Sequence, residues 1–175
     1  MHKTVAKVRA VLTWTLVFMS IMAPFYYSGC STSTRGVVYE DTDFRQNMQR
    51  NQVVAYAREL VGTKYKYGGR DTRGFDCSGF TRYVLKYFEV ELSPSSRAQS
   101  KQGKAVEVDE TRAGDLIFFR RPSGGAIFHV AMVVSNDHYG LKVIHSTSRG
   151  VVIDDISRST YWKPKIFSAR DVLSR

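Results

Sequence analysis

The residues best suited to chemistry in this chain are one cysteine and two histidines. Cys77 follows Asp76, a residue type that caps helix N-termini, and begins a stretch whose aromatic residues recur at helical spacing. A thiol in the first turn of a helix faces unpaired backbone N–H groups, which favour its thiolate form and lower its pKa. The position therefore predicts a nucleophile, although burial in a core is the commonest fate of an unpaired cysteine.

A thiol nucleophile needs a base, usually a histidine that is oriented by a further polar group. His129 and His145 lie in two apolar, strand-like segments, and the polar residues 135–140 between them are typical of a hairpin turn. A hairpin centred on Asp137 would place His129 directly opposite His145, with Cβ atoms roughly 4.5–5.5 Å apart. We therefore expect an imidazole–imidazole hydrogen bond, with His138 exposed at the turn.

A zinc site made of Cys77, His129 and His145 is an alternative use of the same side chains. These residues lack the short paired spacings, such as CxxC or HxxxH, that are typical of zinc ligands. Cysteine–histidine chemistry needs no metal and no organic cofactor. We therefore predict that the protein uses neither.

Two helices and several strands are predicted to position these side chains. Helical periodicity runs from about Phe44 to Leu60, where the apolar face is formed by Met48, Val53, Val54, Ala57 and Val61. It recurs over residues 77–89, after a glycine-rich loop. Residues 92–104 are expected to form a loop with a turn of helix. Strands are predicted at 115–119, 129–134, 141–145, 151–153 and 166–173. Helices followed by an antiparallel sheet indicate an α+β fold.

Composition and charge limit the class of protein. The 175 residues are 43% apolar and 24% charged, which is typical of a globular domain with its own core. The net charge of +10 favours anionic surfaces such as lipid headgroups or wall polymers. Because the Lys and Arg residues are scattered rather than clustered on one helix, no nucleic-acid partner is expected.

The first thirty residues have the layout of a secretory signal. Basic residues near the start precede an uncharged segment from Ala10 to Tyr27, and Ser28-Gly29-Cys30 follows. The small pair before a cysteine resembles a bacterial lipobox, although Tyr27 stands where such boxes usually carry Leu. We expect residues 1–29 to be a lipoprotein signal peptide and residues 30–43 to be a tether that is lipidated on Cys30. An uncleaved anchoring helix is the alternative.

Four motifs resemble those of the NlpC/P60 family of papain-like cell-wall cysteine peptidases. They are Tyr65-Lys-Tyr-Gly-Gly, Gly74-Phe-Asp-Cys77-Ser-Gly-Phe, Gly114-Asp-Leu-Ile-Phe-Phe and His129-Val-Ala. Their order and spacing match over about residues 52–173, and the tail is similar to that of lipoprotein murein endopeptidases of the MepS kind. The resemblance implies N-terminal helices packed on an antiparallel sheet, with the peptidase domain at residues 44–175.

The resemblance also implies a role for each matching residue. Cys77 would be the nucleophile, His129 its base and His145 the third polar group. The hydroxyl of Tyr65 would stabilise the oxyanion beside the backbone N–H of Cys77. The candidate substrate-binding residues are Asp76, Ser78, Ser95 and Arg97. Structural roles are predicted for two other residues: Asp115 as the cap of a turn and Trp162 as part of the core packing.

The implied activity is hydrolysis of amide bonds in peptidoglycan. The D-Ala–meso-diaminopimelate crosslink is favoured and the γ-D-Glu–diamino-acid bond is next. A non-catalytic wall-binding lipoprotein and a thioester acyl- or amidotransferase on the same fold are the alternatives. The predicted partners are peptidoglycan and, through the lipid on Cys30, a membrane. The protein is expected to be a monomer in the cell envelope. An anchor in the outer membrane, facing the periplasm, is favoured because Ser31 follows Cys30.

Overall fold

Three α-helices come before most of the sheet in the computed structural model, which describes residues 35–122 and 124–174. They are α1 (Arg35–Glu59), α2 (Cys77–Tyr87) and α3 (Ser96–Gln99). None of the helices in these described ranges is both long and apolar enough to cross a membrane. The predicted signal peptide and the lipidation of Cys30 lie outside the described residues.

The strands form a short hairpin and a larger antiparallel sheet. The hairpin pairs β1 (Arg70–Asp71) with β2 (Gly74–Phe75) just before α2. The larger sheet has the spatial order β3-β8-β4-β5-β6-β7, and every neighbouring pair is antiparallel. Its strands are β3 (Lys104–Val106), β4 (Leu116–Arg120), β5 (Ile127–Asp137), β6 (Gly140–Thr147), β7 (Gly150–Asp155) and β8 (Ile166–Asp171).

The predicted α+β fold is confirmed, and each of the five predicted strands overlaps an observed one. The structure adds three short strands, β1, β2 and β3, that were not predicted. Each contains two or three residues, which is too short for an alternating pattern to be recognised in the sequence.

Helix α1 begins at Arg35 rather than near Phe44, so much of the predicted tether is helical. Asp41 and Arg45, one helical turn apart, form an ion pair of 2.9 Å between Oδ2 and Nη2, which supports this turn from within the helix. The side chains from Asp41 to Gln49 are exposed or half-buried, and burial begins at Arg50.

The apolar face of α1 was predicted correctly in its middle but not at its ends. Val53, Val54 and Ala57 are buried as expected. Met48 is 46% exposed and Val61 is 48% exposed, so neither belongs to the core. Leu60 is buried in place of Val61, because the helix has ended at Glu59 and the chain turns before Gly62, whose φ is +88°.

The two faces of the sheet bury two apolar layers. Along β4, Leu116 and Phe118 pack on the helices, whereas Ile117 and Phe119 point to the opposite face. The helical layer includes Phe80 and Val84 of α2. A continuous apolar run such as β4 is typical of a strand covered on both sides. The sheet is therefore a rigid frame on which side chains can be held at fixed distances.

A buried ionic cluster joins α1 to the sheet. Arg50 donates through Nη1 to Asp115 Oδ1 and forms an ion pair through Nη2 with Asp171 Oδ2, both at 2.6 Å. All three side chains are at most 3% exposed. Asp115 also accepts the backbone N–H of Arg112, so its predicted role as a turn cap is confirmed. The ion pair with Arg50 was not predicted.

Candidate active site

The loop of residues 63–76 holds Tyr65 beside the start of α2. The backbone N–H of Lys66 donates to Phe75 O at 3.0 Å, and the N–H of Phe75 donates to Lys64 O at 3.1 Å. These two bonds clamp Tyr65 against Phe75, with which it forms an isolated parallel bridge. Gly79 lets the loop approach the helix, because a β-carbon there would collide with Gly69 O.

Cys77 is the first residue of α2, as predicted. The N-cap is Asp76, whose Oδ1 accepts the backbone N–H of Gly79 at 2.6 Å. The thiol is half-buried, and the backbone N–H of Val130, next to His129, acts on its sulfur to lower the pKa. The helix start therefore meets strand β5 at the position of the predicted base.

The predicted lowering of the Cys77 pKa is wrong. Burial raises the pKa of the thiol, and the nearby charge of Asp76 acts in the same direction. The N–H groups of Val130 and Ser78 lower it, but they offset the cost of desolvating a thiolate only in part. The resting thiol is consequently protonated, and a base must remove its proton before it can attack.

Cys77 and His129 line a cavity of about 580 Å³. Tyr65, which is 42% exposed, lines the same cavity, so three of the predicted catalytic residues lie together there. Burial raises the pKa of Tyr65, and the neighbouring Cys77 adds to the effect, so its hydroxyl keeps its proton and can donate. The remaining lining residues are Phe128, Ser146, Thr147, Ser148, Arg149, Tyr161 and Trp162.

The predicted contact between the two histidines is confirmed, with 3.1 Å between His129 Nε2 and His145 Nδ1. The predicted register is wrong by two residues, because Met132 pairs with Ile144. His129 therefore lies diagonally across from His145 rather than directly opposite it. A shift of two residues keeps both side chains on the same face of the sheet, where diagonal neighbours with long side chains still meet.

Two further residues extend the histidine pair across the next strand. His145 Nε2 lies 3.0 Å from Asp154 Oδ2, and the same oxygen accepts a hydrogen bond from Arg149 Nη2. Neither Asp154 nor Arg149 was predicted as a site residue. In β7, Val152 is paired with His145, so Asp154 shares the face of that histidine. The signal in the sequence was the pair of aspartates, Asp154 and Asp155, at the end of an otherwise apolar strand.

These contacts determine which ring nitrogens carry protons. The ionised carboxylate of Asp154 can only accept, so His145 Nε2 must be the donor. Burial lowers the pKa of His145 and favours its neutral form, in which Nδ1 is then an acceptor. His129 must donate to it through Nε2, which leaves a lone pair on His129 Nδ1. Asp154 therefore sets the tautomers of both rings, and His129 is in the tautomer of a general base.

Burial also lowers the pKa of His129 to about 3, and the neighbouring His145 adds to this effect. The ring is thus neutral at rest. Trp162 stacks on it, with centroids 4.7 Å apart and an interplanar angle of 26°. Trp162 also packs against the apolar layer of Ile117 and Phe119, so the predicted packing role is confirmed and the side chain forms a cavity wall as well.

The four predicted substrate-binding residues do not line this cavity. The hydroxyl of Ser78 lies within hydrogen-bond distance of both Asp76 Oδ1 and the carbonyl of Pro94, and its one proton can be donated to either, so these polar groups bond within the fold. Ser95 is the exposed N-cap of α3, and Arg97 is exposed on the same short helix. Their roles in binding substrate remain predictions.

The structure places His138 at the exposed turn between β5 and β6, as predicted. It lies outside the residues that line the cavity. Within the described ranges, no group of three or more His, Cys, Asp or Glu residues is arranged to hold a metal ion.

Comparison with known proteins decides the family. The family model described as "NlpC/P60 family" matches residues 62–171, which is more than half of the chain. The chain belongs to the NlpC/P60 family. The resemblance carried by the four motifs is thereby confirmed. Membership also confirms that the chain is a peptidase, and hence a hydrolase.

One relative and two solved structures agree with this membership. The chain is 39% identical over 136 residues to "Murein DD-endopeptidase MepS/Murein LD-carboxypeptidase" of Escherichia coli strain K12, covering 74% of this chain and 69% of that protein. A family structure from Bacillus cereus superposes with a TM-score of 0.66 at 30% identity, covering 71% and 40% of the two chains. The NlpC/P60 domain of the peptidoglycan hydrolase SagA gives 0.56 at 32% identity, covering 68% and 95%. The predicted papain-like fold is confirmed.

Proposed function

We propose that this NlpC/P60 protein is a peptidoglycan endopeptidase with Cys77 as its nucleophile. The observation that carries the proposal is the line of hydrogen bonds from His129 through His145 to Asp154. It ends at a cavity shared by His129 and Cys77. A neutral base of fixed tautomer beside a protonated thiol is the arrangement that acyl transfer through a thioester requires.

In the first half-reaction, Sγ of Cys77 attacks the carbonyl carbon of the scissile amide while its proton passes to His129 Nδ1. The developing oxyanion is held by the hydroxyl of Tyr65 and the backbone N–H of Cys77, a contribution of roughly 3–4 kcal/mol for a well-aimed donor. The imidazolium that forms on His129 is stabilised through His145 by the charge of Asp154. His129 then protonates the leaving amine as the C–N bond breaks, and a thioester remains on Cys77.

In the second half-reaction, water attacks the thioester and gives a proton to His129 Nδ1. The C–S bond breaks, the sulfur of Cys77 recovers that proton, and the carboxylic acid leaves. The thiolate of Cys77 and the imidazolium of His129 are both transient, because burial disfavours each of these charges on its own. Each charge forms only as its partner forms beside it.

The favoured bond is the D-Ala–meso-diaminopimelate crosslink, and the γ-D-Glu–diamino-acid bond is next. The name of the Escherichia coli relative, a murein DD-endopeptidase, supports the first choice. A Bacillus subtilis relative, 34% identical over 124 residues, is named a gamma-DL-glutamyl hydrolase, which keeps the second in the test. The masses of the released fragments distinguish the two bonds.

Digestion of purified sacculi tests the proposal. We expect the wild type to release fragments that are absent with Cys77→Ala and with His129→Gln, while both variants unfold cooperatively in urea. His138→Gln is the matched control, because this exposed histidine lies outside the cavity, and it should digest at the wild-type rate. Undiminished digestion by Cys77→Ala would contradict the proposal.

The same assay separates the alternative functions. A wall-binding lipoprotein would sediment with sacculi, in the wild type and in Cys77→Ala, without releasing any fragment. A transferase would form an adduct with an added acceptor amine in preference to a free acid. Hydrolysis predicts release of the free acid even when the amine is present.

We also propose that the mature chain is a monomer anchored by lipid on Cys30, in the outer membrane and facing the periplasm. The support is the layout of residues 1–30 in the sequence, with a basic start, an apolar stretch and small residues before the cysteine. The mass of protein purified from membranes should exceed that of the unmodified chain starting at Cys30 by the mass of the acyl groups. Cys30→Ser should abolish that increment.

A further inference from the structure

One side chain, that of Arg149, gives the catalytic cavity a positive charge. Of the described residues that line it, Arg149 is the one whose side chain carries a permanent charge. No Asp or Glu is among those lining residues, and burial keeps His129 neutral. An anionic group of a substrate would therefore meet a single positive partner inside the cavity.

The arginine is presented by a braced turn. Ser148 and Arg149 form the two-residue connection between β6 and β7, because Thr147 pairs with Gly150. The backbone N–H of Arg149 donates to Thr147 Oγ1 at 3.1 Å. The N–H of Val151, in the first part of β7, donates to Thr63 O at 2.8 Å, so the turn is also tied to the loop that carries Tyr65.

The guanidinium of Arg149 uses only some of its N–H donors within the fold. Its Nη2 donates to Asp154, whereas Nε and Nη1 have no partner among the described residues, and the side chain is 61% exposed. A guanidinium can bind a second carboxylate through its free edge while keeping the first. The hydrogen bond to Asp154 holds the side chain in one place, so less rotamer freedom is lost when a ligand binds.

The proposed substrate offers a matching group. In a D-Ala–diaminopimelate crosslink, the carbon that bears the scissile nitrogen also bears a free carboxylate. We infer that Arg149 forms a subsite for this carboxylate, on the leaving-group side of the scissile bond. The inference rests on the proposed function and adds a substrate class to it: stem peptides whose carboxyl group beside the scissile nitrogen is ionised rather than amidated.

A pair of matched substrates tests the subsite. One is a crosslinked muropeptide with the free carboxylate beside the scissile nitrogen, and the other is the same molecule with a carboxamide there. We expect the wild type to prefer the carboxylate, as a ratio of kcat/KM values, by about 10- to 100-fold. In Arg149→Gln the ratio should fall close to one, mainly through a higher KM for the carboxylate substrate.

The ratio is informative because any general loss through Asp154 affects both substrates equally and cancels. Arg149→Lys should retain part of the preference, since it keeps the charge but not the fork of donors. Arg158→Gln is the matched control, because Arg158 is 73% exposed, pairs with Asp155 and lies outside the cavity. Its ratio should equal that of the wild type.

Two results would overturn the subsite: a wild-type ratio near one, or an unchanged ratio in Arg149→Gln. Failure of the proposed function looks different. In that case the wild type would cleave neither substrate, or Cys77→Ala would cleave both. The same experiment therefore separates an error about Arg149 from an error about the reaction.

Discussion

Two of the arginine–aspartate clusters among the described residues differ in where they lie and in what they do. Arg50 bridges Asp115 and Asp171 with all three side chains at most 3% exposed. Arg149 holds Asp154 at the rim of the cavity, with the arginine 61% and the aspartate 20% exposed. The first cluster joins α1 to the sheet, and the second ends the line of hydrogen bonds from the catalytic base.

The difference shows that burial decides whether loss of one partner mainly affects stability or mainly affects activity. In the closed cluster of Arg50, Asp115 and Asp171, loss of one partner leaves a charge without water or a counter-ion, so the free energy of unfolding falls. In the open cluster of Arg149 and Asp154, water can reach the rim and replace a lost partner, so the free energy of unfolding is affected less. The chemistry is affected instead, because Asp154 sets the tautomers of both histidines.

Breaking the closed cluster should have the largest effect. Arg50→Met leaves Asp115 and Asp171 buried without their common partner, and the free energy of unfolding should fall by about 3–5 kcal/mol. Urea unfolding at pH 7 measures it. Arg45→Met is the matched control, because it removes an exposed ion pair on the same helix and should cost less than about 1 kcal/mol. Equal losses in the two variants would contradict the comparison.

The neutral resting state of His129 predicts a pH-dependent stability. The pKa is about 3 in the folded protein and close to its ordinary 6.5 when unfolded, so the unfolded chain binds more protons between these values. Stability should therefore fall as the pH is lowered, by roughly 3 kcal/mol from pH 7 to pH 4 through this residue. Urea unfolding of the wild type and His129→Gln measures it by difference, since the carboxylates are common to both. Equal slopes would mean that folding leaves the pKa of His129 unshifted, which would contradict the effect of burial on this residue.

Breaking the open cluster should lower activity and leave the fold. Without Asp154, His145 can donate through Nδ1, and part of the His129 population then carries its proton on Nδ1, the nitrogen that acts as the base in the proposed mechanism. Asp154→Ala should lower kcat/KM by about 10- to 100-fold, and it should lower the free energy of unfolding by about 1–3 kcal/mol, less than Arg50→Met, because the buried His145 loses its acceptor. Asp154→Asn should recover part of the activity, because its amide oxygen can still accept from His145. If Asn recovers nothing, the carboxylate acts through its charge rather than through the tautomer.

The smallest expected effect comes from the outer partner of the closed cluster. Arg112 reaches Asp171 at 3.2 Å but is 50% exposed. Arg112→Met should lower the free energy of unfolding by less than about 1 kcal/mol, because Arg50 continues to neutralise the buried carboxylate. Together, Arg50→Met and Arg112→Met test burial as the variable, since both residues pair with Asp171. A loss in Arg112→Met as large as that in Arg50→Met would show that burial is not what separates them.

Local rules predicted the parts of the site that depend on local sequence. The cap at Asp76, the helix start at Cys77 and the five longer strands follow from capping preference and periodicity. The contact of His129 with His145 was predicted from a register that is wrong by two residues, and it holds because such an error preserves the face. The error comes from the turn, which is centred between His138 and Tyr139 rather than on Asp137, because Asp137 pairs with Gly140. The irregularity between Val133 and Ser135 then moves the register back by one residue, and nothing in the sequence marks it.

What could not be predicted depends on burial and on long-range pairing. Arg50 lies in a helix rich in polar residues and has the sequence features of a surface residue, yet its partners are more than sixty positions away. Asp154 joins the site only once β6 and β7 are paired. The raised pKa of Cys77 arises from desolvation, which opposes and exceeds the backbone N–H groups that favour the thiolate.

Mass spectrometry of the intact protein during turnover tests the central claim, that Cys77 carries the acyl group. With a crosslinked muropeptide and an acid quench, the wild type should gain the mass of the acyl half of the substrate, located on the peptide that contains Cys77. Cys77→Ala should gain no mass and release no product. Release of product by Cys77→Ala at the wild-type rate would contradict the account.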